Sequence, residues 1–416
     1  MPKLKILVVS HHYWPEPFRM NQVVEDLIAA GAKVTVLTGH PCYPVGREYP
    51  GYESIWPRIE RHPAGYDICR IPVVKRTSGS ARRLAFNYLS FVVSGVLVAP
   101  WLLRKRRFDV QFVYMTSPAI QGYVAIWLKL LKRAPIVLWV QDIWPEALAA
   151  TGYVKSRWAI EAMRKVVSAM YRRCDLLMGQ SDSFVRTIRG AAGRTPVKHF
   201  PNPGEHPSPE VADAPRLPTD RFNIVFGGNI GRAQAMDTVL AAAELLRDDL
   251  AVHFWLFGSG SMCEFVERAI RERSLSNVSL GGQVPAATMA AVFRQASALL
   301  LPLVDDPTVS QTVPSKLQSY LGSGRPVIAA VNGEAARIAL EAGAGRACPA
   351  EDSMALAAAV RELRSLSPEE LDEMGAAGLR YFMQHYEPTK LAHELLHTLT
   401  KLASDEEFRA SIQSRT

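Results

Sequence analysis

The chain has 416 residues, 48% hydrophobic and 21% charged, a mix that supports a sizeable core in each of two domains and excludes disorder beyond the ends. Its net charge of +8 is unevenly spread: residues 1–203 carry 29 basic against 13 acidic side chains (+16), and residues 204–416 carry 19 against 27 (−8). The basic half has no zinc spacing, RRM signature or Arg-rich run with interleaved aromatics, so nucleic acid is excluded in favour of an anionic membrane surface, or of a merely basic solvated face.

Five cysteines, Cys42, Cys69, Cys174, Cys263 and Cys348, form no CxxC pair. That argues against zinc ligation and a disulfide framework, and for a reducing cytosol. The opening MPKLKILVVSHHYWP has too short an apolar core for a signal peptide and runs directly into a strand pattern.

In chain order, residues 4–10 read as a buried strand, followed by the loop HHYWPEPFRMN (11–21), a helix to about residue 30 and a second strand at 33–39. Doubly wound sheets take ligands at the carboxyl ends of their strands, so His11, Trp14, Glu16 and Arg19 in that loop are candidates for substrate contact. Core packing is the other reading of Trp14. Strands follow at 67–73, 110–115, 136–141 and 176–179, predicting one parallel-sheet domain. Between them residues 84–103 carry no charge and are flanked by Arg82, Arg83, Arg104, Lys105, Arg106 and Arg107, the length and bordering of a membrane span. A span would place strands of one sheet on opposite sides of a bilayer. The segment therefore predicts a helix on the sheet, either buried in the core or dipping into one leaflet with its basic ends at lipid phosphates.

After strand 136–141 comes QDIWPEALAATG, with Gln141, Asp142, Trp144 and Glu146. A carboxylate at the carboxyl end of a sheet strand can orient or accept a proton from an incoming hydroxyl. Asp142 fits that role, and equally fits an N-cap for a helix beginning near Pro145. FPNP (200–203) ends the domain, and the proline-rich run to Pro218 reads as a linker.

The second half opens with a strand at 224–226 that ends in Gly227, Gly228 and Gly231 before a helical pattern with Met236, Val239 and Leu240. Such a turn aims unpaired backbone N–H groups and the positive end of a helix dipole at one spot, where a diphosphate is the expected ligand. A strand at 252–257 leads to Gly258, Ser259 and Gly260, one at 278–280 to GGQVPAATM, and one at 298–304 to a stretch in which Pro314 and Ser315 open a helix. That helix ends at Gly322 and Gly324, before a strand at 326–331. Lys316 sits in its first turn, where the dipole disfavours a cation unless an anion binds there too.

These pieces together resemble the glycosyltransferases of family 4, with the GT-B fold, over nearly the whole chain. Nearest in pattern is the bacterial subgroup making O-antigen, capsule and other exopolysaccharides, including fucosaminyl-type transferases. The matching segments are WPEPFRMN, WVQDIWPE, FPNP, FGGNIGRAQAMDT, FGSG, GGQVP and PSKLQSYLGSGRPVIAA. Where most members carry Arg and Lys in the first donor loop this chain has Asn229 and Gln234; where they carry two glutamates it has Gln311 and Ser319; and the histidine common at the Gln141 position is missing.

The resemblance implies two Rossmann-like α/β domains with doubly wound parallel sheets, facing each other across a cleft that closes for turnover. Residues 1–203 would bind acceptor and face the membrane, 204–385 would bind donor, and 386–416 would form a helix packing back toward the first domain. It further implies transfer of a sugar from a nucleotide diphosphate donor to a hydroxyl with retention, UDP being favoured over GDP. No DxD motif is present, which favours metal independence, and no cofactor is expected beyond the donor itself. Donor contacts would come from Gly228, Asn229, Gly231, Arg232, Gln234, Gly258, Ser259, Gly260, Val284, Pro314, Ser315 and Ser319. Asp142, Lys316 and Gln141 would be catalytic, with His11, Trp14, Glu16, Arg19, Trp144 and Glu146 on the acceptor. The acceptor would be a polyprenyl-diphosphate-linked glycan, with the protein cytoplasmic and peripheral on the inner face of the plasma membrane. Alternatives are a nucleotide-sugar epimerase of the same fold and a non-catalytic nucleotide-sugar-binding component. An oxidoreductase is disfavoured because neither glycine loop spells GxGxxG with a following acid.

Overall fold

The structure is a computed structural model and describes residues 3–43, 49–76, 81–150, 156–206 and 214–405. It divides into two units, Met1–Pro201 with Pro388–Thr416, and Asn202–Glu387. Part of the expected linker, residues 207–213, lies outside the described residues.

The first unit is built on an eight-stranded sheet of β1 (Lys5–Val9), β2 (Lys33–Gly39), β3 (Arg58–Arg61), β4 (Asp67–Ile71), β5 (Val110–Met115), β6 (Ile136–Val140), β7 (Leu176–Gly179) and β8 (Val197–His199), in the order β3-β4-β2-β1-β5-β6-β7-β8. The interior strands are continuous apolar runs because a parallel sheet is covered on both faces; every residue of β5 and β6 is buried. The sequence pattern predicts a wholly parallel sheet, and the structure departs from it at one edge. Edge strand β3 runs antiparallel to β4, and its sequence RIER alternates between exposed and half-buried side chains. A charged edge of that kind offers no apolar run and resists further strand pairing.

Among the helices of this unit are α1 (Arg19–Ala29), α2 (Ala81–Leu97), α3 (Ala99–Leu102), α4 (Gly122–Lys132) and α5 (Glu146–Ala150). Arg19 is the first residue of α1, so the loop after β1 ends earlier than expected. The uncharged segment is broken at Val98, with Pro100 in the first turn of α3, and no helix among the described residues is long and apolar enough to cross a membrane. The inner stripe of α2, with Tyr88 and Phe91, is buried in the sheet's core, and its backbone comes close to α4 where Gly95 faces Val124. Its outer stripe, Phe86, Leu89, Val93 and Leu97, is 52–71% exposed. The helix Pro388–Ser404 also belongs here, its Leu391, Leu395 and Leu399 buried with residues of α1, β1 and β5.

The second unit has six parallel strands, β9 (Phe222–Gly227), β10 (Val252–Phe257), β11 (Val278–Gly282), β12 (Ala298–Pro302), β13 (Val327–Ala330) and β14 (Gly345–Cys348), in the order β11-β10-β9-β12-β13-β14. Strand order reverses at β9, which pairs with β10 on one side and β12 on the other. A ligand crevice is expected outside the carboxyl ends of strands at such a reversal.

Candidate functional site

In the second unit the carboxyl ends of β9 and β10 are zipped together. Gly228 N donates to Phe257 O at 3.0 Å, Ile230 N to Ser259 O at 2.9 Å and Met262 N to Ile230 O at 3.0 Å. Gly228 and Gly258 have φ of +129° and +134°, conformations that L side chains rarely adopt. A Cβ on Gly258 would lie 1.8 Å from Gly228 O, and one on Gly260 2.2 Å from Ile230 O. Only glycine lets two loop backbones meet this closely, and the same bareness lets a ligand approach them.

The expected helix after this loop is delayed. Gln234 Oε1 accepts from Gly231 N at 3.0 Å, closing a single 3-10 turn (Arg232–Gln234), and Ala235 is left-handed before the helix Met236–Leu245 starts. Gly231, Arg232 and Gln234 thus shape the turn, and neither they nor Gly260 nor Pro314 line the cavity beside it.

That cavity, about 720 Å³, lies within the second unit. Gly228, Asn229, Gly258, Ser259, Val284, Ser315, Lys316 and Ser319 line it, as the sequence predicts. Sequence reasoning missed Glu205, His206, Gln283, Phe293, Arg294, Tyr320 and Phe382. Most of these come from helices and termini whose lining role depends on tertiary packing, although Gln283 stands next to the GGQVP motif. Tyr320, fully buried, accepts at its hydroxyl from Gly227 N at 3.1 Å and fixes the end of β9.

Lys316 is the second residue of the helix Ser315–Gly322, whose N-cap Pro314 has no side-chain cap. Its ammonium lies 4.1 Å from the centre of the Phe226 ring and 3.5 Å from Asn229 O, and its stem passes over Gly228. Among the described residues no carboxylate pairs with it. Burial pulls its pKa down to about 8. A cation held at a helix N-terminus, part-buried and without a counter-ion, is electrostatically unfavourable until an anion arrives.

The carboxyl ends of the first unit's strands gather a second set. Asp142, just beyond β6, accepts at Oδ2 from Ser117 N (2.7 Å) and Ser117 Oγ (2.9 Å), and Trp144 Nε1 donates to the same hydroxyl at 3.0 Å. Its carboxylate is thus held by the loop after β5. Burial raises its pKa, with the Ser117 bonds opposing. Gln141 is buried, and its amide nitrogen has no hydrogen-bond partner among the described residues. Trp144 is buried; Glu146, in the first turn of α5, pairs with Arg164 at 3.0 Å.

Glu16 is 1% exposed, and both its carboxylate oxygens are engaged: Oε1 by Cys42 N and Tyr43 N, Oε2 by Tyr13 N and His12 Nδ1. It braces the loops after β1 and β2. Trp14 packs edge-on against His62 at 4.9 Å and its carbonyl accepts from Arg70. His11 is buried and stacked on Phe91 at 4.8 Å. Arg76, which sequence reasoning passed over, lies over the rings of Tyr43 (5.6 Å) and Tyr88 (6.0 Å).

Residues 18–203 match the family described as Glycosyl transferase 4-like domain, and residues 221–365 match Glycosyl transferases group 1, so the two matches together cover about four fifths of the chain. The chain is 26% identical over 324 residues to a Pseudomonas aeruginosa protein named as the glycosyltransferase WbjE, spanning 74% of this chain and 77% of that one. It is 27% identical over 299 residues to an Escherichia coli K12 protein named as the colanic acid biosynthesis glycosyl transferase WcaI, spanning 66% and 70%. Among solved structures it resembles sucrose-phosphate synthase from Thermosynechococcus elongatus, with TM-score 0.74, 18% identity and coverage of 96% and 99%. Anabaena HepE in complex with UDP matches with TM-score 0.68, 13% identity and coverage of 96% and 100%.

The interlocked glycine loops make a specific prediction. Gly258→Ala should destabilise the second unit by at least about 2 kcal/mol, since a left-handed non-glycine residue costs about 1–3 kcal/mol before any clash is counted. Gly282→Ala is the control, because Gly282 also has positive φ (+69°) but no atom within 4 Å of an added Cβ. Urea unfolding should rank Gly258→Ala well below Gly282→Ala, and equal midpoints would contradict the interlock.

Proposed function

This chain belongs to the GT-B glycosyltransferases, and from that premise we propose that it moves a sugar from a nucleoside diphosphate sugar to a hydroxyl of a lipid-linked glycan in cell-surface polysaccharide synthesis. The observation that carries the donor half is Lys316, a part-buried cation at a helix N-terminus facing two bare glycine loops. Backbone N–H groups there suit a diphosphate, and the ammonium offsets the charge that develops as the nucleoside diphosphate leaves. On this reading the reaction needs no metal ion and retains the anomeric configuration, as the family resemblance implies. UDP is the favoured donor nucleotide, supported by the HepE structure in complex with UDP. In the first unit, Asp142 orients the acceptor hydroxyl and takes its proton, and its raised pKa makes it a stronger base than an ordinary aspartate.

The membrane half of the proposal rests on the outer face of α2. Phe86, Leu89, Val93 and Leu97 on α2, Trp101 on α3, and Trp127, Leu130 and Leu131 on α4 are all exposed. Trp127 Nε1 donates to Val96 O at 3.1 Å, tying α4 to α2. Exposed Arg82 and Arg83 stand at one end of α2, and Arg104, Lys105 and Arg107 follow α3. A large apolar face rimmed by cations matches an anionic leaflet, with rings in the interface and charges at lipid phosphates.

Lys316→Ala should weaken UDP binding by about 2 kcal/mol, the scale of a lost charge-assisted hydrogen bond, without lowering stability. Because the lysine of the free protein titrates near 8, UDP affinity should be full below that pH and fall above it. That dependence should vanish in the variant. Asp142→Asn should abolish transfer while UDP affinity stays. Calorimetry and a transfer assay read both, and unchanged UDP affinity in Lys316→Ala ends the donor assignment.

Vesicle flotation tests the membrane half. Binding to anionic vesicles should persist in part at high salt, because apolar burial is not screened, whereas charge alone would release completely. Phe86→Ser with Leu97→Ser should remove the salt-resistant part. No flotation at low salt would contradict the assignment.

A further inference from the structure

The loops after β1 and β2 bring together His11, an expected acceptor contact, and two groups that no donor or acceptor role explains. His11, His12 and Cys42 each present one ligand-type atom, and these atoms all lie within 4.8 Å of one another. All three side chains are buried, at 1%, 3% and 7% exposure. Among the described residues neither ring nitrogen of His11 has a hydrogen-bond partner, nor does Nε2 of His12. Three buried imidazole nitrogens without partners are costly in a folded core, each forfeiting its bonds to water.

The orientation of His12 is the second observation. Its Nδ1 lies 3.0 Å from Glu16 Oε2, and in the tautomer that donates there the lone pair is on Nε2, which is buried and has no partner among the described residues. A carboxylate that fixes a histidine tautomer from behind is the arrangement by which proteins orient a metal-binding imidazole. Glu16 is itself pinned by the backbone N–H groups of Tyr13, Cys42 and Tyr43. Cys42 Sγ receives a weak donation from Asn87 Nδ2 at 3.6 Å and a second from the backbone N–H of Arg76.

We propose that His11, His12 and Cys42 form a binding site for a thiophilic divalent transition metal, with Zn(II) the ion that suits their donor set. Two imidazoles and one thiolate are ligands that zinc accepts, leaving a fourth position open. Zn–N distances of about 2.0–2.1 Å and Zn–S of about 2.3 Å set ligand atoms about 3.4–3.8 Å apart, so the cluster closes by about an ångström on binding. No electron is transferred: the Cys42 thiol loses its proton to solvent as the Zn–S bond forms. Zinc binds the thiolate and not the thiol, so one proton leaves for each ion bound. The ion's two positive charges are met by the Cys42 thiolate and the Glu16 carboxylate, leaving a neutral buried unit while the Arg76 guanidinium stays over the tyrosine rings. Partly exposed Phe18 and Tyr43, whose rings lie 5.2 and 5.6 Å from that of His12, mark the side from which an ion enters. Bound there, the metal would tie the loop after β1 to the loop after β2.

Cobalt substitution tests this on the reduced, chelator-stripped full chain. Co(II) added to the parent should give the intense near-ultraviolet absorption of a thiolate–cobalt bond, and Cys42→Ser should lose it. Zn(II) affinity, read by competition with a chromophoric chelator, should fall on the order of 100-fold or more in Cys42→Ser and in His12→Gln. Cys263→Ser, which changes a part-exposed thiol elsewhere, should leave both readings unchanged. A parent that shows no thiolate–cobalt band overturns the site without recourse to any variant. Retention of both band and affinity in Cys42→Ser overturns it equally, and His12→Gln decides if Cys42→Ser does not fold.

Discussion

One contact between two stretches of backbone organises the second unit. Gly258 sits against the carbonyl of Gly228 at a distance no Cβ could tolerate, and three loop hydrogen bonds lock the ends of β9 and β10 around it. Since the strand order reverses at β9, this locked pair stands beside the point where a doubly wound sheet opens toward a ligand. The glycine positions cannot carry side chains there, so the cavity wall is backbone N–H groups, the side chains of Asn229 and Ser259, and whatever reaches over them. Lys316 does so from the helix Ser315–Gly322, its stem crossing Gly228 and its ammonium above Phe226.

The first unit solves a different problem. Its carboxyl-end loops hold many polar groups in little solvent, and two carboxylates, buried Glu16 and half-buried Asp142, keep them in place. Glu16 gathers three backbone N–H groups from two loops, while Asp142 holds Ser117, which in turn holds Trp144. The two carboxylates differ: both oxygens of Glu16 are engaged, whereas among the described residues Asp142 is bonded through Oδ2 to Ser117, which supports the proton role proposed for it. Against these loops packs α2, whose Phe91 stacks on His11; it is apolar on both stripes, and only the inner one is covered.

How much of this the sequence discloses follows from the physics of each signal. Parallel strands buried on both faces read as plain apolar runs, so most strands of both sheets were located within a few residues. Strand β3, with alternating charges, β8, with three residues, and β14, spelled GRAC, carry no such run and were missed. Lys316 was legible because a cation in a helix's first turn conflicts with the dipole, a conflict visible without coordinates. The Gly231 turn was not, because Gln234 capping Gly231 and left-handed Ala235 postpone the helix without changing its apolar pattern. The apparent membrane span dissolved because hydropathy counts residues and not faces. The His11–His12–Cys42 cluster was out of reach for a related reason: its members lie on two loops, and no spacing rule joins them.

Hydrogen exchange with and without UDP tests the central claim most directly. If the glycine loops and the lysine helix together cradle a nucleoside diphosphate, peptides spanning residues 227–232, 258–262 and 315–320 should all gain protection on adding UDP. Protection confined to the first unit, or none in these three segments at saturating UDP, would contradict the account.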